Sequence, residues 1–298
     1  MRIALSGSTG FLGRALTEWL TAAGHRVVPL TRRRAAAAGE AIAWDPARDE
    51  LAPDALAGID AVIHLAGENI AQRWTDEVKR EIRESRVKST ALLARTIQAM
   101  DAPPRVFLSG SAVGIYGDRG DELLDESSQP GHGFLADVVR AWEDATAALD
   151  RADVRVVHLR TGLVLGRHGG ALEKMLTPFR LGLGGRIGSG TQVMSWIALD
   201  DWTRAVEFLL AAGQLKGPVN LVAPVPLSNA DFTSALGHTL GRPTIVPVPE
   251  AAIHLMFGEM GDATIIASQR VVPTRLLGAG FTFRYETLAA ALPAVLAA

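Results

Sequence analysis

The 298-residue chain contains no cysteine. Disulfides, thiolate catalysis and cysteine-ligated zinc are therefore excluded. It also lacks a surplus of either charge. Its 30 lysines and arginines stand against 32 acids, for a net charge of −2, so composition implies no nucleic-acid-binding surface. No apolar run reaches the roughly 18 residues needed to cross a bilayer. Internal repeats and low-complexity linkers are missing too. His64, His132 and His168 fall at no metal-ligand spacing, so no metal is expected. A first strand expected from residue 2 leaves no space for a cleavable signal. The expectation is a soluble, cytoplasmic protein whose partner is a small molecule, with no membrane and no nucleic acid.

What is present is an alternation of short β-branched runs with helical patterns, the mark of a parallel α/β sheet. Strands are expected at 2–6, 26–31, 61–65, 105–109 and 155–159, with a short extra one at 41–44. Helices are expected at 13–23, 76–100 and 135–148. Beyond residue 160 the text loosens into Gly-rich and Pro-rich stretches. Helices are then expected at 200–212, 229–240, 251–257 and 287–296, and a strand at 244–248. This suggests a Rossmann-like, doubly wound parallel sheet in residues 1–165, with 191–225 adding to it. A smaller C-terminal substrate or cap domain would come from 166–190 and 226–298.

The segment GSTGFLG, residues 7–13, follows the apolar run Ile3-Ala4-Leu5 and opens the helix-patterned RALTEWLTAAG. In that position it reads as a phosphate-binding turn. Gly7 allows the sharp turn, Gly10 lets backbone approach a pyrophosphate, and Gly13 lets helix and strand pack closely. Thr9, Phe11 and Leu12 complete it, and the free N–H groups of the helix start face the anion. Three glycines alone are a weak signal, since a purely structural turn uses them as well. The context of strand, turn, helix and second strand is what favours a dinucleotide.

A site that selects NAD places an acid at the end of the second strand to bond the ribose 2′-hydroxyl. Here that position reads Thr31-Arg32-Arg33-Arg34. An arginine there can fork onto a 2′-phosphate with hydroxyl support, so NADP(H) is expected. The competing reading is a solvated basic turn. Trp44 and Asp45 offer an apolar face and a carboxylate for adenine. Leu65, Ala66 and Gly67 offer small groups beneath pyrophosphate and ribose.

Several segments together resemble one family: GSTGFLG, HLAGENI with RW soon after, SRVKSTALL, FLSGSAVGIYGD, RTGLVLG, PFRLGLGGRIGSGTQVMSWI with its DDW, GPVNLVAP and VVPTRLLGAGFTF. The turn spacing G-x-x-G-x-x-G resembles the extended short-chain dehydrogenase/reductase superfamily. Within it the chain is similar to the atypical "epimerase family", NAD-dependent epimerase/dehydratase-like proteins with a C-terminal domain of unknown function. The resemblance runs from residue 1 to beyond residue 280. It implies that the backbone of Arg160, Thr161, Gly162 and Val164 encloses the nicotinamide, that Ser109 and Gly110 at the end of the 105–109 strand also bind the cofactor, and that a helix-mediated homodimer is possible.

The wider superfamily uses a Tyr-x-x-x-Lys pair on the helix after the fifth strand to trade a proton with the substrate oxygen. In GFLADVVRAWE there is neither residue. Phe134 and Val138, or Leu135 and Val139, stand in their place, and Arg86 takes the position of a supporting asparagine. Ser111 alone matches. Candidates near the expected nicotinamide are therefore Ser111, Tyr116, Glu68 and Asn69, of which Ser111, Tyr116 and Glu68 are the catalytic ones. Ser111 either orients substrate or caps local backbone. Tyr116 is either a displaced acid or an aromatic packed beside the ribose. Glu68 is either a carboxyl with a raised pKa in a half-buried cleft or a plain surface acid. Glu81 and Arg86 either pair on their helix or reach the cofactor, Arg86 as a binder only.

In the second half, the Gly-rich stretch 182–190 reads as a flexible wall over substrate or as hairpin turns. Trp196 reads as a stacking surface or a packed indole, and Asp200 or Asp201 as a helix N-cap. The expected function is an NADP(H)-dependent oxidoreductase or epimerase-like enzyme on a small carbonyl or sugar-like metabolite. The alternative is a catalytically silent NADP(H)-binding sensor or regulatory protein.

Overall fold

The computed structural model describes residues 1–32, 41–149, 151 and 153–297. In chain order the strands are β1 (Arg2–Ser6), β2 (Arg26–Thr31), β3 (Ile42–Asp45), β4 (Glu50–Leu51), β5 (Ala61–His64), β6 (Val106–Ala112), β7 (Leu123–Leu124), β8 (Arg155–Thr161), β9 (Leu163–Leu165), β10 (Val193–Met194), β11 (Trp196–Ala198), β12 (Gly217–Leu221), β13 (Leu227–Ser228) and β14 (Arg270–Val271). The helices are α1 (Phe11–Ala22), α2 (Asp76–Gln98), α3 (Phe134–Asp144), α4 (Gly170–Arg180), α5 (Leu199–Ala211), α6 (Asn229–Leu240), α7 (Glu250–Phe257), α8 (Glu259–Gly261), α9 (Thr274–Gly278) and α10 (Leu288–Ala297).

Eight strands form the main sheet in the order β4-β3-β2-β1-β5-β6-β8-β12. All neighbours are parallel except the β3–β4 edge. Strand order reverses between β1 and β5. That switch point opens a crevice at the carboxyl ends of the strands, where ligands bind in open α/β sheets. The fold is thus a Rossmann-like doubly wound sheet with a helical C-terminal part.

Side chains alternate across each strand, and both faces are covered, as a parallel sheet requires. Ile3, Leu5, Ile63, Leu108 and Leu159 pack on Leu16 and Leu20 of α1 and on Trp202, Val206 and Leu209 of α5. Ala4, Val28, Val62 and Phe107 pack on Leu92, Leu93 and Ile97 of α2. Each fully buried aliphatic side chain contributes about 1.5–3 kcal/mol. A third cluster joins Leu172 and Leu176 of α4 to Phe232 and Leu236 of α6 and Leu288 and Leu292 of α10.

Several local expectations are corrected. α1 begins at Phe11, two residues earlier than expected, because extended Gly10 is its N-cap. α3 stops at Asp144. Segment 244–248 is not a strand and makes one isolated bridge, Ile187 to Val248. Pro247 interrupts it and Pro243 and Pro249 flank it, and none of the three has the N–H group a ladder needs. Helix α4 stands in the Gly-rich and Pro-rich stretch beyond residue 160, where no helix is expected because Gly169, Gly170 and Pro178 look like breakers. Stretch 182–190 is neither free wall nor hairpin. Gly188 N–H bonds the Val248 carbonyl, Val248 N–H bonds the Arg186 carbonyl, and Ile187 N–H bonds Asn229 Oδ1, pinning it to the proline segment and to α6.

Asp200 and Asp201 lie in the first turn of α5, after the N-cap Ala198. Asp201 is fully buried and accepts the backbone N–H groups of Arg284 and Tyr285 at 2.8 Å each. It therefore tethers the C-terminal segment instead of capping its own helix. Trp196 is fully buried with its indole N–H on the Val225 carbonyl, a packed ring with no face open for stacking.

Candidate functional site

Residues 7–13 make a tight turn between β1 and α1. Gly7 adopts φ +71°, the left-handed region, and a Cβ there would come within 2.9 Å of the Leu65 carbonyl carbon. A Cβ on Gly13 would run into the Gly7 carbonyl. At Gly10 a Cβ would meet only that carbonyl, at 3.3 Å, so its outer side is open to backbone approach by a ligand. No side chain caps α1 and no acid lies in its first turn. The orphan N–H groups and the positive end of the helix dipole are thus left for an anion.

The ring of Phe11 lies against Gly166, Gly169 and Gly170, and a Cβ on Gly166 would come within 2.7 Å of it. The turn is thereby seated on the start of α4. The glycine spacing after LVL was the available signal for this contact. Thr31 is half-buried at the end of β2. Arg32 is exposed and makes no ion pair with a described residue, whereas Arg33 and Arg34 lie outside the described residues.

Behind the turn is a buried polar chain that sequence reasoning missed. Ser6 Oγ accepts the N–H groups of Leu65 and Ala66 at 3.1 and 3.2 Å, so its own hydrogen goes to His64 Nδ1 at 2.6 Å. His64 Nε2 then carries the proton and donates to Ser89 Oγ at 2.9 Å, and Ser89 donates to the Ser85 carbonyl at 2.5 Å. Burial, with the Arg86 charge second, pushes the His64 pKa down to about 3 and keeps the ring neutral. This chain fixes the wall formed by Leu65, Ala66 and Gly67. Trp44 is a correction: it is 6% exposed and set edge-on to His64, so its face is not available to adenine. Asp45 is half-buried and accepts the Ala47 N–H.

Arg86 lies beneath Gly67, where a Cβ would come within 3.1 Å of its guanidinium carbon. Its Nη1 donates to the Ile82 carbonyl, and the guanidinium sits 5.2 Å from the Trp142 ring centre. Burial lowers its pKa to about 10, with Glu68 acting against that shift. Glu81 is exposed and does not pair with it. Glu68 is exposed too, its N–H on Ser85 Oγ, so the half-buried setting expected for it is not found.

At the ends of β6, β8 and β12 the polar layer is ionic. Ser109 is fully buried, and Gly110 is held small by Trp142 of α3. Ser111, 4% exposed, donates to Glu143 Oε1 at 2.6 Å. Arg160 grips the same carboxylate with two bonds of 2.9 Å. Burial alone would raise the Glu143 pKa, but the Arg160 bonds and charge outweigh it and hold the carboxyl low. Arg160 Nη1 also donates to Tyr116 Oη, which donates to Asn220 Oδ1 at 2.8 Å. Tyr116 is fully buried, in a tight turn directly after β6, and burial raises its pKa. It is placed as a packed, doubly bonded ring and not as a group open to substrate. Thr161 accepts from the Trp202 indole, Gly162 packs against Ser195 and Val222, and Val164 is in the core. On α3, where a Tyr-Lys pair would lie, Phe134 meets Trp74 and Lys79 while Val138 and Val139 are buried.

The model of the NAD-dependent epimerase/dehydratase family matches residues 3–221, and that of a domain of unknown function, DUF1731, matches 248–295. The chain belongs to the NAD-dependent epimerase/dehydratase family. It is 43% identical over 291 residues to the epimerase family protein Mb2239 of Mycobacterium bovis, covering 97% of this chain and 96% of that one. Among solved structures, human epimerase family protein SDR39U1 (isoform 2) with NADPH superposes at a TM-score of 0.90, with 36% identity over 100% of this chain and 99% of that one. A nucleoside-diphosphate sugar epimerase from Corynebacterium glutamicum gives 0.82 with 40% identity, covering 99% of this chain and 58% of that one.

Proposed function

We propose that this protein binds NADP(H) and is an oxidoreductase or epimerase-like enzyme acting on a small carbonyl or sugar-like metabolite. The observation that carries the reading is the uncapped N-terminus of α1 behind Gly7, Gly10 and Gly13, with exposed Arg32, which pairs with none of the described residues, at the end of the neighbouring strand. The N–H groups of Phe11, Leu12 and Gly13 would hold the pyrophosphate. Thr31 and Arg32 would hold a 2′-phosphate, Leu65 to Gly67 would floor the ribose, and Arg86 would add a cation there. The NADPH in the human relative's structure supports the same choice of nucleotide. When bound, the nicotinamide supplies hydride transfer. The chain's own part is to orient substrate and to hold a proton near Ser111.

A catalytically silent NADP(H) sensor is the second reading. It draws on the apolar α3 face and on the full burial of Tyr116. Fluorescence titration of the full chain with NADPH and NADH tests the common part: the reading expects NADPH to bind at least tenfold more tightly. Equal binding, or none, would overturn it. NADPH consumption across a panel of carbonyl compounds then separates enzyme from sensor. Size-exclusion chromatography with light scattering tests the homodimer.

A further inference from the structure

The one buried side-chain nitrogen or oxygen without a partner among the described residues is Nδ1 of His158. Thr146 Oγ1 gives its hydrogen to the Glu143 carbonyl at 2.8 Å, so at 3.0 Å it accepts from His158 Nε2. The imidazole therefore carries its proton on Nε2 and presents a bare Nδ1, 3.8 Å from Glu143 Oε2. A lone pair and a carboxylate face each other with no proton between them, while the other carboxylate oxygen takes the Ser111 hydroxyl. Buried polar groups are almost always satisfied, so an orphan in this position calls for an explanation. A proton placed on Nδ1 would turn the contact into an ion pair.

We propose that Ser111, Glu143 and His158 form one proton-sharing unit that ends at the carboxyl edge of β6 and serves a substrate hydroxyl as its base. This deepens the proposed function and rests on it. Because Ser111 has committed its hydrogen to Glu143, its oxygen can only accept from a ligand, which selects a hydroxyl over a carbonyl in the resting state. One proton then moves in three linked steps. The substrate O–H proton passes to Ser111 Oγ, the Ser111 proton passes to Glu143 Oε1, and the carboxyl turns over and closes the 3.8 Å gap so that this protonated oxygen delivers its proton to His158 Nδ1. The net result is a deprotonated substrate oxygen, an unchanged serine, a carboxylate and an imidazolium paired with it. In the reverse direction the same proton returns to the substrate oxygen. Glu143 and His158 act through Ser111 and are positioning residues. Ser111 is the member that would touch substrate.

The groups facing His158 are Glu143 and Asp144 of α3, Thr146 just beyond it, Arg160 of its own strand, and Ser109 and Pro218 as register partners on β6 and β12. Burial and Arg160 lower its pKa, and the two acids oppose them. The imidazole is therefore neutral at pH 7 and ready to accept.

The test is an imidazole nitrogen NMR titration of the full chain labelled with ¹⁵N-histidine, from pH 4 to 8, in wild type, Ser111→Ala and Glu143→Gln. His158→Gln assigns the resonance. In wild type at pH 7, His158 should show a bare Nδ1 and a protonated Nε2. Ser111→Ala should raise its proton affinity at least threefold, although Ser111 does not touch the ring, because a Glu143 carboxylate without the Ser111 hydrogen bond attracts the imidazolium more strongly. Glu143→Gln should lower it at least tenfold. If that variant fails to fold, Ser111→Ala decides the matter alone. A proton resident on Nδ1, or a midpoint unmoved by Ser111→Ala, overturns the proposal. NADPH is titrated into the same samples. Failure of wild type to bind it defeats the dinucleotide reading, and binding with an uncoupled His158 defeats only the proton unit.

Discussion

Two histidines, His64 fully buried and His158 half-buried, lie level with each other in the same sheet as register partners of Ser109, one on each side of β6, and they are built differently. His64 on β5 has both nitrogens bonded, to Ser6 and Ser89, and no carboxylate touches it. His158 on β8 has one nitrogen bonded and the other bare against a carboxylate that also holds a serine and an arginine. The first arrangement is closed. Every polar atom is satisfied, so it can only hold the wall beside the glycine turn in place. The second is open by one proton. A ring nitrogen shut off from solvent is common to both, and what separates scaffold from reactive group is whether the hydrogen-bond inventory balances.

The comparison is most easily broken at Arg160. Replacing it by Met leaves Glu143, only 11% exposed, with its principal counter-charge gone, which should cost about 3–5 kcal/mol in urea unfolding. A loss below about 1 kcal/mol would mean that the ionic half is not integral to the fold. On the neutral half the sharpest handle is pH. With a folded pKa of about 3 for His64 against an ordinary value near 6.5, the unfolded state binds the extra proton between those limits. Stability is therefore full above pH 6.5 and falls on acidification by about 1.4 kcal/mol per pH unit for that one site. His64→Asn should remove one proton's worth of slope between pH 6.5 and 5. An unchanged slope would show that His64 is not held neutral.

Ser6→Ala removes the acceptor of two backbone N–H groups and should cost about 1–3 kcal/mol, with weaker NADPH binding as the Leu65 wall loosens. Hydrogen exchange at Leu65 and Ala66 reads that loosening directly. The smallest effect belongs to Lys79→Ala. It breaks a partly exposed ion pair to Glu259 and should change stability by less than about 1 kcal/mol.

How much of this was legible follows from the distance over which each signal acts. The strands of the sheet and the turn at residues 7–13 are written in contiguous text, as β-branched runs and glycines at fixed spacing, and the expected strands overlap β1, β2, β3, β5, β6 and β8. Strand β12 was quoted as a motif but not drawn as a strand, because GPVNL opens with a glycine and a proline. The segment at 244–248 misled in the opposite sense, its Thr-Ile-Val outweighing the proline within it and the prolines on either side. The ionic cluster was illegible for another reason. Ser111, Glu143 and His158 are separated by 32 and 15 residues, and no local spacing joins them. One trace was available. Ala136, Val139 and Glu143 recur on one stripe of α3, and an acid on an otherwise buried stripe needs a buried partner. For Tyr116, position after β6 was readable. Enclosure by Arg160 and Asn220 depends on two further strands.

The central claim, an NADP(H) site built on the α1 turn and read by Arg32, is tested most directly by titrating NADPH and NADH into wild type and Arg32→Ala side by side. A charge-assisted bond to a phosphate contributes about 1.5–3 kcal/mol, so the substitution should weaken NADPH at least tenfold and leave NADH nearly unchanged. An equal effect on both nucleotides would remove Arg32 from the 2′-phosphate. If wild type binds neither nucleotide, the dinucleotide site itself is contradicted.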